Sequence, residues 1–237
     1  MKYQQTLLFG TLIKRYKRFL ADIRLDDGSL VTAHCPNSGS MRMCAEPGWR
    51  AALSRGDNPG RKLPYTWELV NNGNCWICVN TQIPNIVAAE AIAAGMIPEL
   101  AGYKNPRREV RYGENSRIDI LLENEREKCF VEVKNVTLLD DDKAYCFPDA
   151  VTARGLKHLR ELSREVEAGN RAVMLYIINR SDGNGFRPAH DIDPAYARGL
   201  RAAAAAGVEI LAYQTRITPE EISVDAAVDI LPSTFGE

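Results

Sequence analysis

The chain has 237 residues, 45% of them hydrophobic and 26% charged, with a formal net charge of −1. This is the composition of an ordinary soluble globular protein, long enough for one large domain or two small ones around a proper core. No apolar run approaches the roughly 18 residues of a membrane span. The stretch MKYQQTLLFGTLIKRYKRF lacks the charged, apolar, small-residue order of an export signal, and six cysteines without one point to reduced thiols in the cytoplasm.

The small net charge hides an asymmetry. Residues 1–80 carry 11 Lys and Arg against 6 Asp and Glu, whereas residues 81–237 carry 19 against 25. A basic first third suits a polyanionic partner or simply a soluble surface. The same third is expected to be all-β. Short segments (FLADIRL, LVTAHC, WRAALS, NCWICVN) alternate with DDGS, GDNPG and NNGN, and none sustains a 3.6-residue period. Such strands suit a small barrel, for which the oligonucleotide-binding (OB) type is one candidate and a small sandwich the other. Lys14, Arg15, Lys17 and Arg18 interleave here with Tyr16 and Phe19. Cations meet phosphates and aromatic faces stack on bases, as in single-strand binding sites. A strand with an aromatic face inward and a solvated basic face would read alike.

From residue 84 the pattern changes. PNIVAAEAIAAGM has Pro84 ahead of it and Gly95 near its end, as a short helix should. RREVRY is a strand candidate, followed by the two apolar runs of RIDILLENEREKCFVEVK. FPDAVTARGLKHLRELSREVEAG reads as a helix entered at Pro148 and ended at Gly169. RAVMLYIIN (171–179) is apolar enough for a central strand buried on both faces. A helix over PAYARGLRAAAAAG then leads to a strand over VEILAYQT (208–215). The order α-β-β-β-α-β-α-β predicts a mixed sheet with flanking helices.

The hairpin over residues 117–134 carries the chemistry. With NERE (124–127) as a four-residue loop, Glu123 faces Lys128 and Asp119 falls opposite Glu132. Alternation puts Arg117, Asp119, Leu121, Glu123, Phe130, Glu132 and Lys134 on one face. Ile118, Ile120, Leu122, Cys129, Val131 and Val133 take the other, an apolar face that must meet a core. Facing carboxylates repel, so a positive charge belongs between them. Arg117 and Lys134 supply it in one reading, as a surface ion ladder. A divalent cation supplies it in the other.

An acid, about a dozen residues, then Glu-x-Lys within a hairpin resembles the PD-(D/E)xK nuclease superfamily, whose α-β-β-β-α-β core matches the order above; Ile118 stands where the name has Pro. TAHCPNSGSM, YTWELV, SRIDILL, FVEVKNVTL, FPDAVTARGLKHLREL and IDPAYARGL resemble, in order and nearly end to end, the sugar fermentation stimulation protein A family. That resemblance implies an N-terminal OB-type barrel (1–82) and a C-terminal nuclease-like domain (83–237), a DNA partner, and a link to sugar, notably maltose, metabolism.

It further implies roles. Asp119 and Glu132, with the Val133 carbonyl, would hold Mg²⁺ or Mn²⁺, and Lys134 would complete the catalytic set. Glu90 on the first helix is the candidate extra acid, against a solvated helix residue. Arg154 and Lys157, on the helix after the Glu-Val-Lys strand, are expected to reach phosphates with Arg117, unless they form only a charged outer face. His158 is expected off that helix's Leu156–Leu159–Leu162–Val166 core stripe. Asn37, Ser38, Gly39 and Ser40 would clamp a phosphate or fasten the domains. A zinc site at Cys75 and Cys78, completed by His34, Cys35 or Cys44, is disfavoured because a strand points the pair to opposite faces. The rival to a nuclease is a regulator that binds DNA without chemistry. The oligomeric state is not legible.

Overall fold

The structure is a computed structural model and describes residues 1–56, 60–113 and 116–236, so part of the GDNPG turn lies outside it. The first third forms β1 (Leu8–Tyr16), β2 (Leu20–Leu25), β3 (Leu30–His34), β4 (Arg50–Arg55), β5 (Tyr65–Asn71) and β6 (Trp76–Cys78). β1 pairs antiparallel with β2 and β4, β2 with β3, and β4 with β5. The parallel β3–β5 pairing closes the circuit into a five-strand barrel of OB type, which leaves β6 as an extension of β5. Inward residues Leu12, Ile23, Leu53, Trp67 and Ile77 fill it, as the two-residue period requires.

Next come α1 (Ile83–Ala93), β7 (Lys104–Tyr112), β8 (Ser116–Glu123), β9 (Lys128–Val136), β10 (Leu138–Leu139), β11 (Tyr145–Phe147), α2 (Ala153–Glu167), β12 (Arg171–Ile178), β13 (Phe186–Pro188), α3 (Pro194–Ala205), β14 (Glu209–Ile217) and β15 (Ile222–Ala227). The second sheet runs β15-β14-β12-β9-β8-β7, with β9, β12 and β14 parallel at its centre. α1 covers one face through Val87, Ala88 and Ile92 against Ile120, Val131 and Val173. α2 and α3 cover the other through Leu159, Leu162 and Leu200 against Phe130, Met174 and Tyr176. β10, β11 and β13 form a small separate sheet.

α2 starts later than the sequence suggests. Its N-cap is Thr152, whose Oγ1 accepts the Gly155 N–H at 3.0 Å, a cap worth about 1 kcal/mol. The segment from Pro148 is drawn off elsewhere, because the Asp149 carboxylate accepts from Ser40 Oγ and the Met41 N–H of the barrel. The barrel and the second sheet also share a core, since Leu7, Ala52, Leu69 and Cys78 pack into the α1 cluster. Buried Arg180, paired with Asp182, donates to the Thr137 carbonyl at 2.7 Å, while Asn72 of the barrel donates to Asp182 at 2.7 Å. The chain begins on the second sheet: Lys2 bridges to Glu221, and the Met1 ammonium donates to the Ile222 carbonyl.

Candidate active site

The β8–β9 register is the expected one from Glu123–Lys128 to Ile120–Val131, and the ladder then stops. Asp119 is therefore not paired opposite Glu132. β8 stays with β7 through Val110–Ile118 and Tyr112–Ser116 as it leaves β9. Alternation breaks at the same point: Ile118 packs with Leu121 and Phe130 under α2, not with Ile120 on the α1 face. The carboxylate of Asp119 replaces the missing ladder contact by accepting the Val133 N–H at 2.8 Å, and its other oxygen accepts from Asn85 of α1 at 2.7 Å.

Glu132, 2% exposed, points under α2. Its Oε1 accepts from Lys134 Nζ at 2.6 Å and meets the His158 ring in a shorter contact. Its Oε2 is sealed from solvent and has no hydrogen-bond partner among the described residues. Burial first, and then the negative charge of Glu132, push the Asp119 carboxyl up to about 6. Burial also pushes Glu132 up, but the Lys134 charge and the His158 hydrogen bond outweigh it and hold Glu132 below the usual carboxylate range.

The donor set suits a hard divalent cation. Two carboxylates bear on each other, and one keeps a bare, buried oxygen that costs free energy unless something positive meets it. Among the described residues no three His, Cys, Asp or Glu side chains gather as a metal site. An ion here would thus use two carboxylates with backbone, water and phosphate oxygens, the habit of Mg²⁺.

Two domain families match this chain: the SfsA N-terminal OB domain over residues 13–79, and the sugar fermentation stimulation protein RE domain over residues 82–221. The chain belongs to the sugar fermentation stimulation protein (SfsA) family. It is 57% identical over 223 residues to the sugar fermentation stimulation protein homolog of Acidithiobacillus ferrooxidans, covering 94% of this chain and 96% of that one. The homolog of Geotalea uraniireducens is 57% identical over 221 residues, 93% and 95% of the two chains. Among solved structures, Pyrococcus furiosus SfsA in complex with Ca²⁺ superposes with a TM-score of 0.87 at 26% identity over 98% of each chain. The second sheet and its helices are thus the restriction-endonuclease-like domain of an SfsA protein.

The remaining candidate residues of this SfsA chain fall into three groups. Some lie elsewhere than expected. Glu90 pairs with the Met1 ammonium at 2.6 Å, so α1 sends Asn85 rather than Glu90 to the site. Lys157 reaches Ser116 Oγ and Glu161, and Arg117 is exposed on the β7–β8 edge beside Arg111. Others fasten structure. Arg15 donates to the carbonyls of Asn37, Gly39 and Ser40, while Asn37 Oδ1 accepts the Gly39 N–H. Together with Asp149, this makes the 37–40 loop a joint between the domains. A third group stays available: Lys17, Arg18 and Phe19 (47% exposed) crowd the β1–β2 turn, whereas exposed Lys14 on β1 pairs with Asp22 at 3.6 Å and Tyr16 is half-buried with its hydroxyl on Asp22.

Exposed Ser38 and Arg18 line a cleft of about 390 Å³ with Thr81, Asn135 and Thr152, where the barrel meets the second domain. The cysteines do not converge: Cys35 faces Met41, Cys44 faces Thr137 and Cys78 faces the Asn80 carbonyl. All six are free. No helix among the described residues is long and apolar enough to cross a membrane.

His158 and Asn85 are the site residues that sequence reasoning missed. His158 sits one turn from Arg154 and three residues before Glu161, so the buried face of α2 is polar at His158 and Glu161 and not only leucine. The available signal was a histidine two residues after Leu156 on an amphipathic helix that directly follows the Glu-Val-Lys strand.

Proposed function

We propose that this SfsA protein is a divalent-metal-dependent phosphodiesterase acting on nucleic acid, with DNA the expected substrate. The observation that carries the reading is the bare, buried Glu132 Oε2 beside Asp119, whose carboxyl is pushed up to about 6. A pure phosphate-binding surface would gain nothing from two such acids, which repel the ligand. A relative of the same fold carries Ca²⁺ in its crystals, which supports a cation here as well.

Asp119 and Glu132 would hold Mg²⁺ or Mn²⁺, with the Val133 carbonyl as the third protein donor. The ion would supply a polarised phosphate and an activated water. Lys134, only 13% exposed on its side chain, keeps a cation where negative charge grows on the phosphate oxygens. The barrel, residues 1–82, would track the strand through Lys14, Lys17, Arg18 and Phe19 and deliver it to the domain of residues 83–237. Reduced, mostly buried cysteines suit a cytoplasmic setting. The link to sugar metabolism enters through the family name alone.

The test is cleavage of labelled single- and double-stranded DNA and RNA with Mg²⁺ or Mn²⁺. Cleavage that vanishes in Glu132→Gln and Lys134→Ala, with binding retained, supports the nuclease. Binding without cleavage, indifferent to metal and to both changes, supports a DNA-binding regulator of sugar genes instead.

A further inference from the structure

His158 lies on α2, 4% exposed, with a different partner at each ring nitrogen. Its Nε2 is 3.3 Å from Arg154 Nε. A guanidinium can only donate, so Nε2 must accept, and the ring proton therefore sits on Nδ1. That Nδ1–H points at Glu132 Oε1. Lys134 Nζ lies 3.2 Å from the same Nδ1, donor against donor, so its hydrogen bond goes to Oε1 at 2.6 Å. Two donors converge on Oε1, and among the described residues Oε2 has none. The asymmetry of Glu132 is thus set by a ring whose tautomer is set by Arg154.

We propose that His158 is a positioning residue linking Arg154 to Glu132. It pins Oε1 so that Oε2 stays turned to a divalent cation, and it anchors Arg154 through Nε so that the terminal nitrogens of that exposed residue are left for a nucleic-acid phosphate. The proposal rests on the metal-dependent reading above and goes beyond it by assigning specific work to a side chain that touches neither cation nor substrate. Groups that orient metal-binding carboxylates typically change cation affinity about 10- to 100-fold when replaced.

Two substitutions separate the arms of the link. In His158→Asn the amide nitrogen takes the place of Nδ1, keeping the donor to Glu132 and losing the acceptor for Arg154. In His158→Gln the amide oxygen takes the place of Nε2, keeping the Arg154 contact and losing the donor to Glu132. Calorimetric titration of the full chain with Ca²⁺ in the absence of nucleic acid reads the first arm without any turnover. The KM and kcat for cleavage with Mg²⁺ read the second.

His158→Gln is expected to weaken Ca²⁺ binding about tenfold or more, while nucleic-acid binding in chelator stays within about twofold of wild type. His158→Asn is expected to keep Ca²⁺ affinity and to raise KM to the level of Arg154→Ala, with the double variant no worse than Arg154→Ala. A merely structural histidine would move both readouts together in both variants. Equal loss of Ca²⁺ affinity in the two variants, or no loss in His158→Gln, overturns the proposal. If His158→Gln does not fold, His158→Asn decides: retained Ca²⁺ affinity supports the link, and lost affinity refutes it. A wild type that binds Ca²⁺ but cleaves nothing removes the nuclease reading and leaves the Ca²⁺ arm to judge His158. A wild type that binds no divalent cation overturns both.

Discussion

The carboxylate of Asp119, one residue beyond the last β8–β9 ladder pair, Ile120–Val131, accepts the backbone N–H of Val133 at 2.8 Å. A side chain takes over from a backbone carbonyl where two strands part, so an N–H that would be orphaned is satisfied by an acid. The bond holds Asp119 beside Glu132 without the strands having to stay paired.

Asp119 should make the protein less stable as pH rises. Its carboxyl keeps its proton up to about 6 in the folded chain and up to about 4 when unfolded. Between those values the unfolded state has released a proton that the folded state still holds, so stability falls from pH 4 to 6 and is level above. The fall is at most about 3 kcal/mol. Asp119→Asn should raise urea stability at pH 8 by about 2 kcal/mol and change little at pH 4. Added Ca²⁺ should close the gap by stabilising only the wild type. Urea titrations at both pH values, with and without Ca²⁺, check this.

Glu132→Gln and Lys134→Ala should each lower kcat by at least about 10²-fold, with less than about threefold change in metal-free affinity for a labelled oligonucleotide. Equal losses in binding would place both residues in recognition rather than chemistry. Single-turnover cleavage alongside fluorescence anisotropy separates the two.

Arg15 and its neighbours should part company. Arg15→Ala removes charge-assisted hydrogen bonds to three loop carbonyls and should cost about 1–3 kcal/mol of stability. Lys17→Ala and Arg18→Ala, at exposed positions of the β1–β2 turn, should leave stability within about 0.5 kcal/mol. Each should instead flatten the salt dependence of nucleic-acid binding by about one unit of slope. Denaturant melts and affinities from 50 to 300 mM salt, roughly the range over which phosphate contacts are screened, test both halves.

The domain joint should be sensitive to one methyl group. A Cβ at Gly39 would sit 2.4 Å from Asp149 Oδ2, so Gly39→Ala should push that carboxylate off Ser40 and Met41. The expected result is a loss of about 1–3 kcal/mol and faster proteolysis around residues 37–41. Asp149→Ala, which removes the clash and the tie together, should do the same without rescuing Gly39→Ala.

Much of this protein was legible in the sequence because the governing interactions are local. The NERE loop, the Glu123–Lys128 register and the apolar α1 face of the hairpin follow from a two-residue period and a four-residue turn. β12 follows from an apolar run that only a buried central strand can carry. The barrel strands announced themselves through alternation, and Lys134 came with Glu132 in the same strand. What tertiary structure alone decided were partners far apart in sequence. Asn85 rather than Glu90 meets Asp119 across 34 residues because of how α1 lies on the sheet. His158 meets Glu132 across 26 residues because α2 crosses β9. α2 is capped by Thr152 and begins at Ala153, not at Pro148, because Asp149 is held by Ser40, 109 residues away. Periodicity says which side of an element is apolar, but a polar side chain on the buried side takes its partner from whichever element packs there, and only the packing settles which atom that is.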